Sequence, residues 1–317
     1  MRIMLVDFNA AIHMHHHCND KHSSYNYIKN IREVCERFKI DKCFTLQDGG
    51  YAYRSSIYPQ YKAQRAENRA KKTEAEQAEY AKFRKDSYQF SKTVLPMLGM
   101  QTLRVQSVEA DDLASFLSRH LSELGHQVLN LSSDKDWFQL LGPKVVQASY
   151  TDIMKSDIPL PASLWMNTKK FEEKYELKVD QWIWTKCLHG DSGDNVSNAA
   201  TKLGEVTATK LLQKYGTIEN IKANKDNLDI PRMAQITKDT LNFDTVNLNY
   251  KVMNLNHTPE EELAIIGQDG IDMLNRVIAD IDKPAELDTT TFTEMCYEKG
   301  WLTFVEQEDF FQPFISK

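Results

Sequence analysis

Val128-Leu129-Asn130-Leu131-Ser132, continued by Ser133-Asp134-Lys135-Asp136-Trp137, is a short apolar run that ends in two carboxylates one residue apart. Its length and apolar character are those of a buried strand. Just before it, Leu113, Phe116, Leu117, Leu121 and Leu124 recur at helical spacing behind Val108-Glu109-Ala110-Asp111-Asp112. A helix that hands over to a buried strand is one half of the alternation that builds a parallel sheet flanked by helices. Outward from this pair, residues 3–6, 42–46 and 101–105 read as further strands. The expected fold class is α/β, with a mainly parallel central sheet flanked by helices over residues 1–190 and a helical region over 191–317. A long polar helical stretch, rich in Lys, Arg, Glu, Gln and Ala, interrupts the first part at about residues 54–95.

Each expected strand leads to an acid: Asp7, Asp48, Glu109, and the Asp134/Asp136 pair. Open α/β sheets carry their sites at the carboxyl ends of the strands, so acids from four strands would meet on one rim. In Glu109-Ala110-Asp111-Asp112 the acids occupy the first turn of an amphipathic helix, where a carboxylate also serves as a cap. Ideal helical spacing puts Glu109 and Asp112 on one side and Asp111 elsewhere. Gly190-Asp191-Ser192-Gly193-Asp194-Asn195 adds two more Asp, which are turn formers or ligands.

Nine acids gathered in one place repel one another unless cations neutralise them. Hard oxygen donors without His or Cys favour Mg²⁺ or Mn²⁺. Such a set suits two ions roughly 3.5–4 Å apart in phosphoryl hydrolysis. The basic counterpart is Tyr58-Pro59-Gln60-Tyr61-Lys62-Ala63-Gln64-Arg65. On a helix begun near Pro59, Lys62, Arg65, Arg69 and Lys72 form one continuous side that can follow a phosphate backbone, and Tyr61 offers a ring for an unpaired base. Arg54 is either a further phosphate contact or part of a solvated charged helix.

The chain of 317 residues is long enough for a sizeable core, and 41% hydrophobic with 26% charged residues is the balance of a globular protein. Its net charge of −6 argues against a polyanionic partner until the nine motif acids are set aside, which leaves 36 acids against 39 Lys and Arg. No run approaches the roughly 20 apolar residues of a membrane span, and the N-terminus lacks the apolar core and cleavage site of a signal peptide. Cys18, Cys35, Cys43, Cys187 and Cys296 are scattered and odd in number, so reduced, packed thiols are expected rather than disulfides or a zinc site. His13, His15, His16 and His17 lack the spacing of a metal site and read as surface or packing residues.

Taken together, Asp7, Asp48, Glu109-Ala110-Asp111-Asp112, Asp134-Lys135-Asp136 and Gly190-Asp191-Ser192-Gly193-Asp194-Asn195 resemble the 5′-nuclease family of flap endonucleases and the 5′-nuclease domains of bacterial DNA polymerases. The small bacteriophage members are the most similar, over roughly residues 1–270. The resemblance implies a PIN-like core and a two-metal hydrolase cutting 5′ flaps or single-stranded 5′ ends of branched DNA, with RNA–DNA hybrids a further substrate. By that resemblance Asp7, Asp48, Glu109, Asp111 and Asp134 surround one metal and Asp136, Asp191 and Asp194 the second, with Asp112 shared or behind them. Lys62, Arg65, Asp134 and Asp136 are then the catalytic candidates. Tyr61-Lys62-Ala63-Gln64-Arg65 is similar to the helical-arch motif, whose Lys and Arg contact the scissile phosphate while the Tyr stacks on a base.

Residues 199–216 resemble the helix–turn–helix duplex clamp, with Lys202 and Lys210 toward phosphates. Relatives often hold K⁺ there on a Gly-x-Gly turn; Thr201-Lys202-Leu203-Gly204-Glu205-Val206 keeps one Gly and leaves that ion open. Glu308-Asp309-Phe310-Phe311-Gln312-Pro313-Phe314 resembles a sliding-clamp docking peptide, with packing against the body as the alternative. A monomer acting in the cytoplasm, of the host if phage-encoded, beside a clamp or single-strand-binding protein completes the expectation. Two other classes compete: a non-catalytic junction-binding protein, which would gain nothing from an acid set that repels phosphate, and a PIN-type ribonuclease, which would lack the arch motif.

Overall fold

The computed structural model describes residues 1–17, 23–155 and 165–315, without the side chains of 15–17 and 154–155. Cys18 lies outside the described residues, as do the side chains of His15, His16 and His17. Among the described residues Cys35, Cys43, Cys187 and Cys296 are buried free thiols. No helix among them is long and apolar enough to cross a membrane.

Among the described residues six strands form one sheet: β1 (Arg2–Asp7), β2 (Lys42–Leu46), β3 (Gln101–Leu103), β4 (Gln127–Leu131), β5 (Val145–Ala148) and β6 (Trp165–Met166). Their order is β3-β2-β1-β4-β5-β6, parallel up to β5, with β6 antiparallel at the edge. Strand β1 explains why it is central. Ile3, Met4, Leu5 and Val6 are all fully buried; Met4 and Val6 join the core on one face, Ile3 and Leu5 the core on the other. Burying each such side chain contributes about 1.5–3 kcal/mol, which fixes the strand between two helical layers. The strand order reverses direction between β1 and β4. A crevice opens at such a point beyond the carboxyl ends, and Asp7 ends β1 there.

Helices α1 (Phe8–His17) and α2 (Ser23–Phe38) connect β1 to β2. Between β2 and β3 the chain makes α3 (Ala52–Ile57), α4 (Ala63–Ala70) and α5 (Glu74–Thr93). A Thr73–Glu76 capping box starts α5, satisfying orphan N–H groups at its first turn. Helix α6 (Ala110–Glu123) precedes β4, and α7 (Tyr150–Lys155) follows β5. The rest is helical: α8 (Thr168–Tyr175), α9 (Trp182–His189), α10 (Glu205–Tyr215), α11 (Ile218–Ala223), α12 (Gln235–Thr240), α13 (Phe243–Met253), α14 (Pro259–Ala279), α15 (Thr289–Lys299) and α16 (Leu302–Glu306).

A third core gathers Trp182, Leu188, Leu203, Leu211, Leu212 and Val246 around α9, α10 and α13. The chain after residue 254 then returns to the sheet: Leu255, Ile266 and Leu274 join one sheet core, Phe292, Phe304, Phe310 and Phe314 the other. Residues 255–314 thus contribute to the cores on both faces of the sheet. Phe310 and Phe314 are buried, and Arg32 holds the Phe310 carbonyl through Nε at 2.9 Å. Of the C-terminal aromatics that resemble a clamp peptide, Phe310 and Phe314 are thus core residues, Phe310 stacked on Phe292 and Phe304.

Candidate active site

Asp7 sits where β1 gives way to α1, its Oδ1 accepting from Ala10 N (3.1 Å) and its Oδ2 from Ser132 Oγ (3.0 Å) just past β4. Asp48 follows β2 on a loop pressed against the loop that enters α6. Gly49 makes this approach feasible, since a Cβ there would stand 1.7 Å from the Val105 carbonyl oxygen. Asp48 Oδ1 then accepts from Ala110 N at 2.9 Å, capping α6 beside Glu109, while Oδ2 accepts from Asn9 (2.8 Å).

Glu109 has extended backbone (ψ 155) and stands just outside α6. Ideal helix spacing therefore fails at this turn. Asp111, not Asp112, faces the crevice, where its Oδ1 accepts from Trp137 Nε1 at 2.7 Å. Asp112 turns inward to Arg54 and His257. Asp134 caps the turn after β4 through Asp136 N (2.8 Å), which places Asp136 beside Lys186 of α9 (2.8 Å). In the loop after α9, Gly190 has φ 69 and a Cβ there would stand 2.5 Å from the Val196 carbonyl oxygen. That tight return brings Asp191 to 3.1 Å from Lys186 and holds its Oδ1 on Gly193 N (2.8 Å).

These elements enclose a cleft of about 730 Å³. Eight of the nine sequence-chosen acids line it: Asp7, Asp48, Glu109, Asp111, Asp134, Asp136, Asp191 and Asp194. Asp112 does not. Arg54 is a second correction, because its guanidinium is only 5% exposed and saturated by protein partners rather than offered to a phosphate. A third concerns Tyr61, which is buried with its hydroxyl between Glu109 Oε2 and Asp194 Oδ2, both 3.2 Å away, and its ring edge-on to Tyr51. It braces the acids here rather than presenting a face to a base.

The basic stripe is arranged differently from a single helix begun at Pro59. Helix α4 starts at Ala63, after Lys62 in left-handed conformation (φ 56), and ends before Lys72. Lys62, Arg65, Arg69 and Lys72 nonetheless all line the cleft, joined by Arg84 and Arg104. Lys62 contacts Glu109 Oε1 and lies 3.6 Å from Asp194; Arg65 pairs with Asp194 and donates to the Gly193 carbonyl at 3.3 Å. The 58–65 segment is bonded to the 190–195 loop through Lys62 N to the Asp194 carbonyl (2.9 Å) and Asn195 to the Gln60 carbonyl (2.9 Å). Lys202 and Lys210 are exposed at the turn and on α10, away from the cleft.

The electrostatics are those of an acid set short of counter-charge. Burial, then Asp48 and Asp134, pushes the Asp7 carboxyl up to about 7. Burial, then Asp134, raises Asp136 to about 7, and burial with Asp134 and Glu109 holds Asp111 well above the carboxylate range. The repulsions fall into two neighbourhoods: Asp7, Asp48, Glu109 and Asp111 on one side, Asp136 and Asp191 on the other, joined at Asp134. Burial opposes the charge on Lys62, but Glu109 and Asp194 outweigh it and hold the ammonium above its ordinary value; Asp136 and Asp191 do the same for Lys186. Among the described residues no three acids close to a coordination sphere, because Lys62, Arg65, Lys186, Asn9 and Trp137 occupy their oxygens. Oxygen-only donors with their charge unrelieved fit a hard divalent cation. Lys186 and His257 were not singled out from sequence; Lys186, four residues before Gly190, was findable as a cation on the helix that leads into the acidic loop, whereas His257 carries no local signal.

An acid-lined cleft at the carboxyl edge of a parallel sheet, walled by a basic helix, defines a phosphodiester hydrolase of the divalent-metal class. The family described as 5′-3′ exonuclease, N-terminal resolvase-like domain, matches residues 2–176, and the chain belongs to it. The flap endonuclease of Escherichia phage T5 is 25% identical over 285 residues, 88% of this chain and 92% of that protein. DNA polymerase I of Thermus aquaticus is 34% identical over 137 residues, 43% of this chain and 15% of the polymerase. The crystal structure of the T5 flap endonuclease D155K variant, a pseudo-enzyme-product complex with DNA and metal ions, superposes with a TM-score of 0.71 at 25% identity, covering 89% of this chain and 99% of that one.

Proposed function

We propose that this chain is a structure-specific 5′-nuclease that hydrolyses phosphodiester bonds at 5′ flaps and 5′ ends of branched or nicked DNA, and at RNA primers paired to DNA. The observation that carries this reading is the convergence of eight acids from remote segments on one cleft whose other wall is basic. Asp7, Asp48, Glu109, Asp111 and Asp134 would hold one Mg²⁺ or Mn²⁺, and Asp136, Asp191 and Asp194 the other. Such ions supply an activated water and neutralise charge on the leaving oxygen. The chain's own part is to gather and orient the carboxylates, and to offer Lys62 and Arg65 to the charge that develops on the phosphate. Arg69, Lys72, Arg84 and Arg104 extend a path for a single strand along the cleft, while Lys202 and Lys210 face duplex phosphates.

The chain is taken to act as a monomer. A potassium ion is not part of the reading: the 199–216 turn keeps one Gly, Gly204, where the motif it resembles has a Gly-x-Gly turn. Neither is a clamp-docking tail, since Phe310 and Phe314 are buried.

Labelled 5′-flap, nicked-duplex and RNA–DNA substrates with Mg²⁺ or EDTA test the function. Metal-dependent release of the flap is expected, nearly abolished in Asp134→Asn with DNA binding kept. Cleavage that persists in EDTA overturns it.

A further inference from the structure

Beside Glu109 lie three buried groups that the proposed chemistry does not use: Arg54, Asp112 and His257. Arg54 donates from Nε to the Val252 carbonyl (2.8 Å) and from Nη1 and Nη2 to Asp112 Oδ2 and Oδ1 (2.6 and 2.8 Å). The same Nη1 lies 2.8 Å from Glu109 Oε2. On the far side of Asp112, His257 Nε2 is 3.1 Å from Oδ1. The side chains of Arg54, Glu109, Asp112 and His257 are 5%, 2%, 1% and 6% exposed. Each is therefore held by its neighbours rather than by water.

The supports are stiff. Asp112 sits in the first turn of α6, and His257 directly precedes Thr258, whose capping box starts α14. A guanidinium fork engaged on three sides has one orientation. The two oxygens of Glu109 are consequently unlike: Oε2 faces this fixed fork, whereas Oε1 faces Lys62, a single ammonium on the arch segment.

We propose that Arg54, locked by Asp112 and His257, is a positioning residue that reserves Oε2 of Glu109, so that only Oε1 is offered to a divalent cation. This rests on the nuclease reading above and deepens it. Without the fork, Glu109 could swing wholly onto Lys62 or chelate through both oxygens, and the geometry of the first ion's site would be lost. Partners one step removed from a metal are typically worth 10–100-fold in metal affinity.

The test uses the full chain and Mn²⁺ titration followed by electron paramagnetic resonance without DNA, alongside thermal melting and single-turnover flap cleavage across a Mg²⁺ series. Arg54→Lys keeps the charge and loses the fork; Mn²⁺ affinity is expected to fall on the order of 10–100-fold, with the cleavage rate largely restored at high Mg²⁺. His257→Ala is expected to weaken Mn²⁺ binding as well, and His257→Gln, which keeps an N–H donor toward Asp112, to restore it. Should Arg54→Lys fail to fold, the His257 pair carries the test. Variants that melt earlier yet bind Mn²⁺ like the wild type overturn the inference and leave the nuclease reading standing; a wild type without Mg²⁺-dependent cleavage overturns both.

Discussion

Replacing Lys62 by alanine separates two roles of one ammonium, the pairing with Glu109 seen in the structure and the phosphate contact proposed above. In the chain as described, Nζ is the partner of Glu109 Oε1, lies 3.6 Å from Asp194, and sits 5.0 Å from the centre of the Tyr61 ring. During hydrolysis it would serve the phosphate instead. Removing one pre-positioned donor to a developing oxyanion costs about 10²–10³ in rate, or about 2.7–4 kcal/mol. Lys62→Ala should therefore slow single-turnover flap cleavage by that factor at saturating Mg²⁺. The effect on metal binding has the opposite sign, because the lysine holds a carboxylate oxygen that a cation would take. Without DNA, Lys62→Ala should bind Mn²⁺ no more weakly than the wild type and, by relief of that competition, more tightly. Glu109 does not become an unpaired buried charge, since Arg54 stays 2.8 Å from its other oxygen. A rate within a few fold of wild type, or weaker Mn²⁺ binding in the variant, would refute this division of labour.

Stability should depend on pH in an unusual direction. Asp7 and Asp136, raised from 3.8 to about 7, make the folded chain bind more protons than the unfolded one between those values. Metal-free protein should lose stability as pH rises through that window, and excess Mg²⁺ should reverse the trend in thermal melts. A melting temperature that climbs with pH in EDTA counts against the clustered, uncompensated acids. Substituting Lys202 and Lys210 by alanine should lower the salt slope of duplex affinity by about 0.9 per lost phosphate contact without changing the cleavage rate of bound substrate; an unchanged slope in filter binding removes them from the interface. Phe310→Ala should destabilise the whole protein by about 3–5 kcal/mol in urea unfolding, as a core truncation does, and a loss of under 1 kcal/mol would mean the tail does not pack as described.

How far the sequence could be read follows from which forces act locally. The strand at residues 42–46 was legible to its ends, and residues 3–6 and 128–132 nearly so, because strands buried on both faces are continuous apolar runs. Val145–Ala148 and Trp165–Met166 were not, since a four-residue strand with a Gln and a two-residue edge strand leave no periodic trace. Asp7, Asp48 and the Asp134/Asp136 pair were findable through their place after strands, Asp191 and Asp194 through their Gly-containing turn. Asp112, expected as shared or behind the other acids, lies behind them: the helix begins one residue after Glu109, so the side suggested by ideal i+3 spacing does not hold at this turn. Arg54 and Tyr61 look like surface residues in sequence because their partners, Asp112, Val252, Glu109 and Asp194, are remote.

The cations of this cleft are best understood as exchangeable with the groups they resemble. Lys62 and Arg65 pair with Glu109 and Asp194, and Lys186 bridges Asp136 and Asp191, so both electrostatic neighbourhoods carry positive charge from the chain itself. This permits the acids to be gathered before any ion arrives, which mutual repulsion alone would resist. It would also keep Lys62 and Arg65 close to the phosphate in the proposed reaction. Were Glu109 and Asp194 to hold divalent ions as proposed, Lys62 and Arg65 would be free to turn to the phosphate, which would couple metal loading to phosphate capture. Arg54 differs from the others in having all three guanidinium nitrogens engaged by protein acceptors. Arg54 would keep its place through such an exchange, holding Glu109 Oε2 at 2.8 Å and both oxygens of Asp112.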